Sequence, residues 1–177
     1  MRRQTVAVML LPLLGLLAAC TPPDEPVVAL AVLDGRPIGV LVPCDGSFSQ
    51  MSVYETSEDQ TRDGPLTSWR ISGQSTTEVV EVPLLGQPPA GWETAGTRET
   101  SAPASGTAVR TEPLTELKPE ATYSLSGSSG RDAISVDFST ADFARIGPDQ
   151  VLAPVDHDTT KVVSRDAFVR ASRKSCY

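Results

Sequence analysis

The amino-acid sequence predicts an all-β fold, an antiparallel β-sandwich with a short C-terminal helical tail. Three observations point that way. Short apolar runs are set apart by turn residues at close intervals, as at residues 27–32 and 37–42, which is the spacing of strands in a sandwich. Apolar and polar residues alternate with period two in Tyr123-Ser124-Leu125 and in Ile134-Ser135-Val136-Asp137-Phe138, so one face of each run is expected to be buried. Asp34-Gly35 stands between two apolar runs, a strong signal for a hairpin turn.

The chain opens differently. Residues 1–19 have the parts of a secretory signal: Arg2-Arg3 as a basic start, an apolar stretch over residues 6–17, and small residues before a cut. The apolar stretch is about a dozen residues, interrupted by Pro12 and Gly15, whereas a bilayer-spanning helix needs ~20. The run Leu17-Ala18-Ala19-Cys20 resembles the lipobox of bacterial lipoproteins. That resemblance implies export, cleavage before Cys20, a lipid thioether on the Cys20 sulfur, and display on the outer side of the cell membrane. It also implies at least two acyl chains, which hold a protein stably where one binds marginally. A plain cleaved signal is the alternative. Residues 20–26 are then the lipidated cysteine and a Pro-rich tether, Thr21-Pro22-Pro23-Asp24-Glu25-Pro26. Such a segment extends ~3.1 Å per residue, so the domain is expected close to the membrane.

Without residues 1–19 the chain keeps 13 basic and 22 acidic residues, a net charge of −9. That balance disfavours nucleic acid and anionic headgroups as partners. The acids are scattered, as on a solvated surface. If lipid takes Cys20, Cys44 and Cys176 remain, an even pair in an oxidising compartment. A disulfide between them is expected; two free thiols, or a bond to a partner protein, are the alternatives. The bridge would hold a tail that otherwise tends to disorder.

Residues 27–141 are expected to form the sandwich. The run at 27–32 is apolar throughout, and 37–42 follows the Asp34-Gly35 turn. Phe48, Met51, Val53 and Tyr54 belong to the next strand, and residues 56–65 are a polar loop. Trp69-Arg70-Ile71 and Val79-Val80-Glu81-Val82 are further strands, with a turn region at 86–91 and a long Ser/Thr/Ala/Gly loop at 94–107. Val109, Leu114 and Leu117 resume the apolar pattern, and Gly127-Ser128-Ser129-Gly130 reads as a hairpin connection. The segment Leu117-Lys118-Pro119-Glu120-Ala121-Thr122-Tyr123-Ser124-Leu125 resembles the E–F corner of fibronectin type III domains, and Phe138-Ser139-Thr140 is similar to the end of that family's last strand. The resemblance implies a fibronectin type III/immunoglobulin-like sandwich, in which the Tyr123 ring enters the core and its hydroxyl satisfies an upstream backbone group. It implies nothing about a ligand.

Residues 142–177 read as a C-terminal extension, with one more extended piece at Gln150-Val151-Leu152 and a helix over 165–174. Ser164 is placed as its N-cap, Asp166 in the first turn, and Arg170, Arg173 and Lys174 near the far end, the charge order that suits a helix dipole. Phe168 and Val169 are expected to face the sandwich.

Little in the sequence carries chemistry. The one histidine, His157, stands between Asp156 and Asp158, but neighbouring residues point different ways and a closed metal site needs about four ligands. No serine sits in Gly-x-Ser-x-Gly, and Gly127 to Gly130 lacks the lysine of a phosphate-binding loop. Asp132 and Asp137 have no loop of oxygen ligands around them. Trp92, after Pro88-Pro89-Ala90-Gly91, is the candidate exposed aromatic for a sugar ring or a protein partner. The competing reading folds it back on the sheet edge. The expectation is a non-enzymatic lipoprotein with no cofactor and no metal, held to the membrane by lipid on Cys20. Its role would be that of an interaction or accessory module for an envelope protein. The alternative is a solute- or glycan-binding lipoprotein using Trp92 and the 94–107 loop.

Overall fold

A computed structural model describes residues 24–44, 46, 48–56, 66–94 and 111–177. The expected signal segment and Cys20, and residues 57–65 and 95–110, where most of the two expected loops fall, lie outside the described residues. Among the described residues, eleven strands and one α-helix run in the order β1 (Val28–Leu33), β2 (Arg36–Leu41), β3 (Phe48–Glu55), β4 (Leu66–Gln74), β5 (Val80–Pro83), β6 (Trp92–Thr94), β7 (Thr111–Pro113), β8 (Thr122–Ser129), β9 (Val136–Ser139), β10 (Gln150–Pro154), β11 (Thr160–Ser164) and α1 (Arg165–Ser175). The strands form two sheets, β11-β10-β1-β2-β5 and β6-β4-β3-β8-β9, with β7 added to β4. All pairings are antiparallel except β4 with β7.

The Asp34-Gly35 turn forms where the sequence places it. Both residues have positive φ, 50° and 75°, which the type I′ hairpin demands and which Asp and Gly tolerate. In β3, β4 and β9 burial alternates along the strand, with Ser49, Met51 and Val53, then Trp69 and Ile71, then Val136 and Phe138 buried. All of these but Ser49 meet Val28, Leu30, Leu41, Val82 and Leu152 of the opposing sheet in the main core. The Tyr123 ring is fully buried there, and its hydroxyl accepts a 2.7 Å hydrogen bond from the Lys118 N–H. Tyr123→Phe is expected to leave that N–H unsatisfied and cost about 1–3 kcal/mol. Chemical denaturation checks this, and an unchanged midpoint would mean that water replaces the hydroxyl.

The body does not close at residue 141. β10 pairs with β1, Leu30 opposite Leu152 and Ala31 opposite Val151, so the expected extension supplies two strands of the five-stranded sheet. Between β9 and β10 lies a 3-10 helix, Thr140–Arg145, which the sequence pattern does not announce. The Asp142 carboxylate accepts from the Ser139 N–H at 2.9 Å and its hydroxyl at 3.1 Å, the reach-back half of a capping box. The connection expected at 127–130 starts later, because β8 continues through Ser129, opposite Ser49. Gly130, with φ 74°, opens the turn.

The helix forms as expected, one residue longer, over Arg165–Ser175. Ser164 caps it by accepting from the Ala167 N–H at 3.3 Å. It packs on the outer face of the five-stranded sheet. Phe168 is buried there against Ala29, Ala31, Ile38, Val40, Val42, Val151 and Ala153, and Val169 is half-buried beside it. β1 and β2 are therefore covered on both faces, which is why their residues read as continuous apolar runs.

Candidate functional site

The side chains singled out in the sequence gather unevenly. Cys44 and Cys176 are disulfide-bonded, with Cα atoms 5.3 Å apart across a sequence separation of 132. Cys176 is buried in the main core, with Cys44 packed against it. The bridge is one part of a larger closure. The Ser172 hydroxyl donates to the Pro26 carbonyl at 2.6 Å and lies 3.0 Å from the Phe168 carbonyl. Glu25 is laced in turn to the β8–β9 turn: its N–H donates to the Asp132 carbonyl at 2.8 Å, and its carbonyl accepts from the Ile134 N–H at 2.9 Å. The point where the chain enters the body is thus fastened to the last turn of α1 and to the β8–β9 turn.

Beside this closure, three hydroxyls satisfy one another. Ser49 lies 2.6 Å from Ser75 and 2.7 Å from Ser129, and Ser75 and Ser129 are 3.1 Å apart. Ser49 and Ser129 are fully buried. A serine nucleophile needs a base within hydrogen-bond reach, whereas each of these hydroxyls has another hydroxyl as its partner. The arrangement holds β3 to β8 at their ends.

Of the two readings of Trp92, the structure has the one in which it folds back on the sheet. It is only 8% exposed, and it pairs with Gly73 across β4 and β6. A Cβ at position 73 would overlap the indole, so the glycine makes the space that the ring fills. A groove of about 420 Å³ runs past the ring, lined also by Gln74, Glu78, Val80 and Pro89, but the residue is largely buried in the main core.

His157 is exposed in the turn between β10 and β11 with Asp156 and Asp158. Asp156 accepts a 3.0 Å bond from the Asp158 N–H. That bond, chiefly, then one with Thr159, holds its carboxyl below the usual carboxylate range. Its charge thus serves the turn. Among the described residues no group of three His, Cys, Asp or Glu side chains is placed to hold a metal ion. Asp132 and Asp137 are both outside the buried core, Asp137 on the exposed face of β9.

At the opposite end a cleft of about 340 Å³ is lined by Leu33, Asp34, Gly35, Glu81, Asp149 and Arg165. Arg165 and Glu81 form an ion pair across its wall, and the Arg165 N–H donates to the Asp149 carbonyl at 2.8 Å. The pairing neutralises the cation that would otherwise attract an anion. Sequence reasoning missed this cleft, because Glu81 and Arg165 are brought together only by the packing of α1 on the sheet. No protein-family model, no curated protein and no solved structure matches this chain.

Proposed function

We propose that this chain is an exported lipoprotein, held at the outer face of the cell membrane by lipid on Cys20. Its body is a fibronectin type III-like sandwich that acts as a non-enzymatic interaction or accessory module for an envelope protein. The observation that carries this reading is the Leu17-Ala18-Ala19-Cys20 motif, from which only four residues lead to Glu25, whose backbone is hydrogen-bonded into the body. A tether that short confines the body to the membrane surface and raises the effective concentration of partners there. The Cys44–Cys176 bridge suits an oxidising compartment. The Tyr123 hydroxyl bond to the Lys118 backbone supports the likeness to the fibronectin corner. β10, β11 and α1 lie outside the stretch that carries that likeness.

Cys20→Ser is expected to move the protein from the membrane to the soluble fraction and to abolish labelling by a fatty-acid probe. A variant that stays tightly membrane-bound would overturn the anchor. Crosslinking in intact membranes, followed by mass spectrometry, then tests the module role, and a stable protein neighbour is the supporting result.

A further inference from the structure

The strands and α1 define two ends of the body. One carries the Asp34-Gly35 turn, Asp149 and Arg165. The other carries Glu25 and Pro26, the disulfide, the last turn of α1, the start of β3 and the turn between β10 and β11. Among the described residues four large apolar or aromatic side chains are prominently exposed: Leu33 at 60%, Phe48 at 55%, Val155 at 58% and Tyr177 at 93%. Three of the four stand at the second end. Phe48 opens β3, Val155 follows β10, and Tyr177 follows the bridged Cys176. Leu33 alone stands at the first end, beside the Asp34-Gly35 turn.

We infer that the end bearing Phe48, Val155 and Tyr177 is a docking surface for the lipid bilayer, against which the anchored body lies with these side chains in the headgroup layer. The inference rests on the lipid anchor proposed above. Four residue steps separate Cys20 from Asp24, and a chain spans at most ~3.3–3.6 Å per residue. The entry point at Glu25 is therefore held within about 20 Å of an acylated Cys20, and the end that carries it is the one able to touch the membrane. Aromatic side chains favour the water–hydrocarbon boundary because their rings are apolar while a phenol keeps a polar tip. The charges at this end are mixed. Arg131, Arg173, Lys174 and Lys161 stand against Asp24, Glu25, Asp132, Asp156 and Asp158, with His157 among them. A mixed surface matches a zwitterionic headgroup layer and does not single out anionic lipid. The apolar side chains therefore supply the attraction, and docking is expected to persist in phosphatidylcholine.

The test uses the mature protein made with its own leader in a bacterial host and reconstituted into phosphatidylcholine vesicles containing a trace of diazirine-bearing phospholipid. After illumination and digestion, label is expected on peptides carrying Phe48, Val155 and Tyr177, and not on the peptide carrying Leu33, Asp34 and Gly35. The variant Phe48→Ser with Val155→Ser is expected to lower that labelling several-fold, with Cys20 still acylated and the unfolding midpoint unchanged. Acylated Cys20 with label concentrated at Leu33, or spread equally over both ends, would overturn the docking surface and leave the anchor standing. Cys20 without lipid in the same spectra would overturn both.

Discussion

Replacing Cys44 and Cys176 together by alanine is expected to lower the thermal unfolding midpoint by roughly 10–20 °C. The bridge joins residues 132 apart in sequence, and the chain-entropy relation assigns such a loop about 5 kcal/mol of unfolded-state entropy, an upper figure. In a body of this size each kcal/mol moves the midpoint by about 2–4 °C. The native packing around the bridge is expected to persist without it, because Phe168 and Ser172 also hold α1. The variant should therefore fold, with less stability and the same spectrum. Circular dichroism melts of the parent with and without reductant provide the comparison, and reductant should leave the double variant unmoved. A variant that melts within about 2 °C of the oxidised parent would show that the unfolded chain is already compact enough to make the constraint irrelevant.

What can be read from the sequence follows from how local each feature is. The Asp34-Gly35 turn is legible because a two-residue hairpin needs backbone angles that few residues adopt, and both are present in adjacent positions. The helix is legible because a serine cap and a charge gradient are written within a dozen residues. Beyond residue 141 the extended piece at Gln150-Val151-Leu152 is legible and becomes β10, but its partner in the sheet is not, and β11 is not announced at all. β10 pairs with β1 across more than a hundred residues, and no local pattern reports a partner that distant. Pro148 and Pro154 bracket that piece, and Pro154 sits at the strand's end, where a missing N–H is tolerated. One signal of the second layer is nonetheless local. A run without polar alternation, such as residues 27–32, asks for cover on both faces, and α1 supplies the second cover.

Trp92 is legible only as two alternatives, exposed or folded back on the sheet edge. Two prolines and a glycine ahead of it read as an exposed loop, but the ring's site is made by an absence on another strand, the missing side chain of Gly73. The candidate anchor differs again. Cys20 is marked by four consecutive residues that need no folded context, so the motif is legible in the sequence although it lies outside the described residues.

Phe168→Ala is expected to destabilise the protein by about 3–5 kcal/mol, the usual cost of emptying a core aromatic site. The ring is 3% exposed, and the residues beneath it include Ala29, Ala31 and Ala153, whose short side chains cannot move in to fill the space. Val169 is only half-buried on the same helix, so Val169→Ala should cost far less and serves as the control. The two fastenings of α1 then separate by experiment. With the bridge intact, Cys176 keeps the helix end beside Cys44, and the loss should appear as faster hydrogen exchange in α1 while the β1–β2 ladder stays protected. With the bridge also removed, the helix is free to leave the sheet, and the cost of Phe168→Ala is capped at whatever docking energy remains. The two effects together should therefore fall short of their sum. Denaturant titration of the four variants measures that coupling. A loss below about 1 kcal/mol, with exchange in α1 unchanged, would show that the helix is held by something other than this ring, and the two-sided burial of β1 would need another explanation.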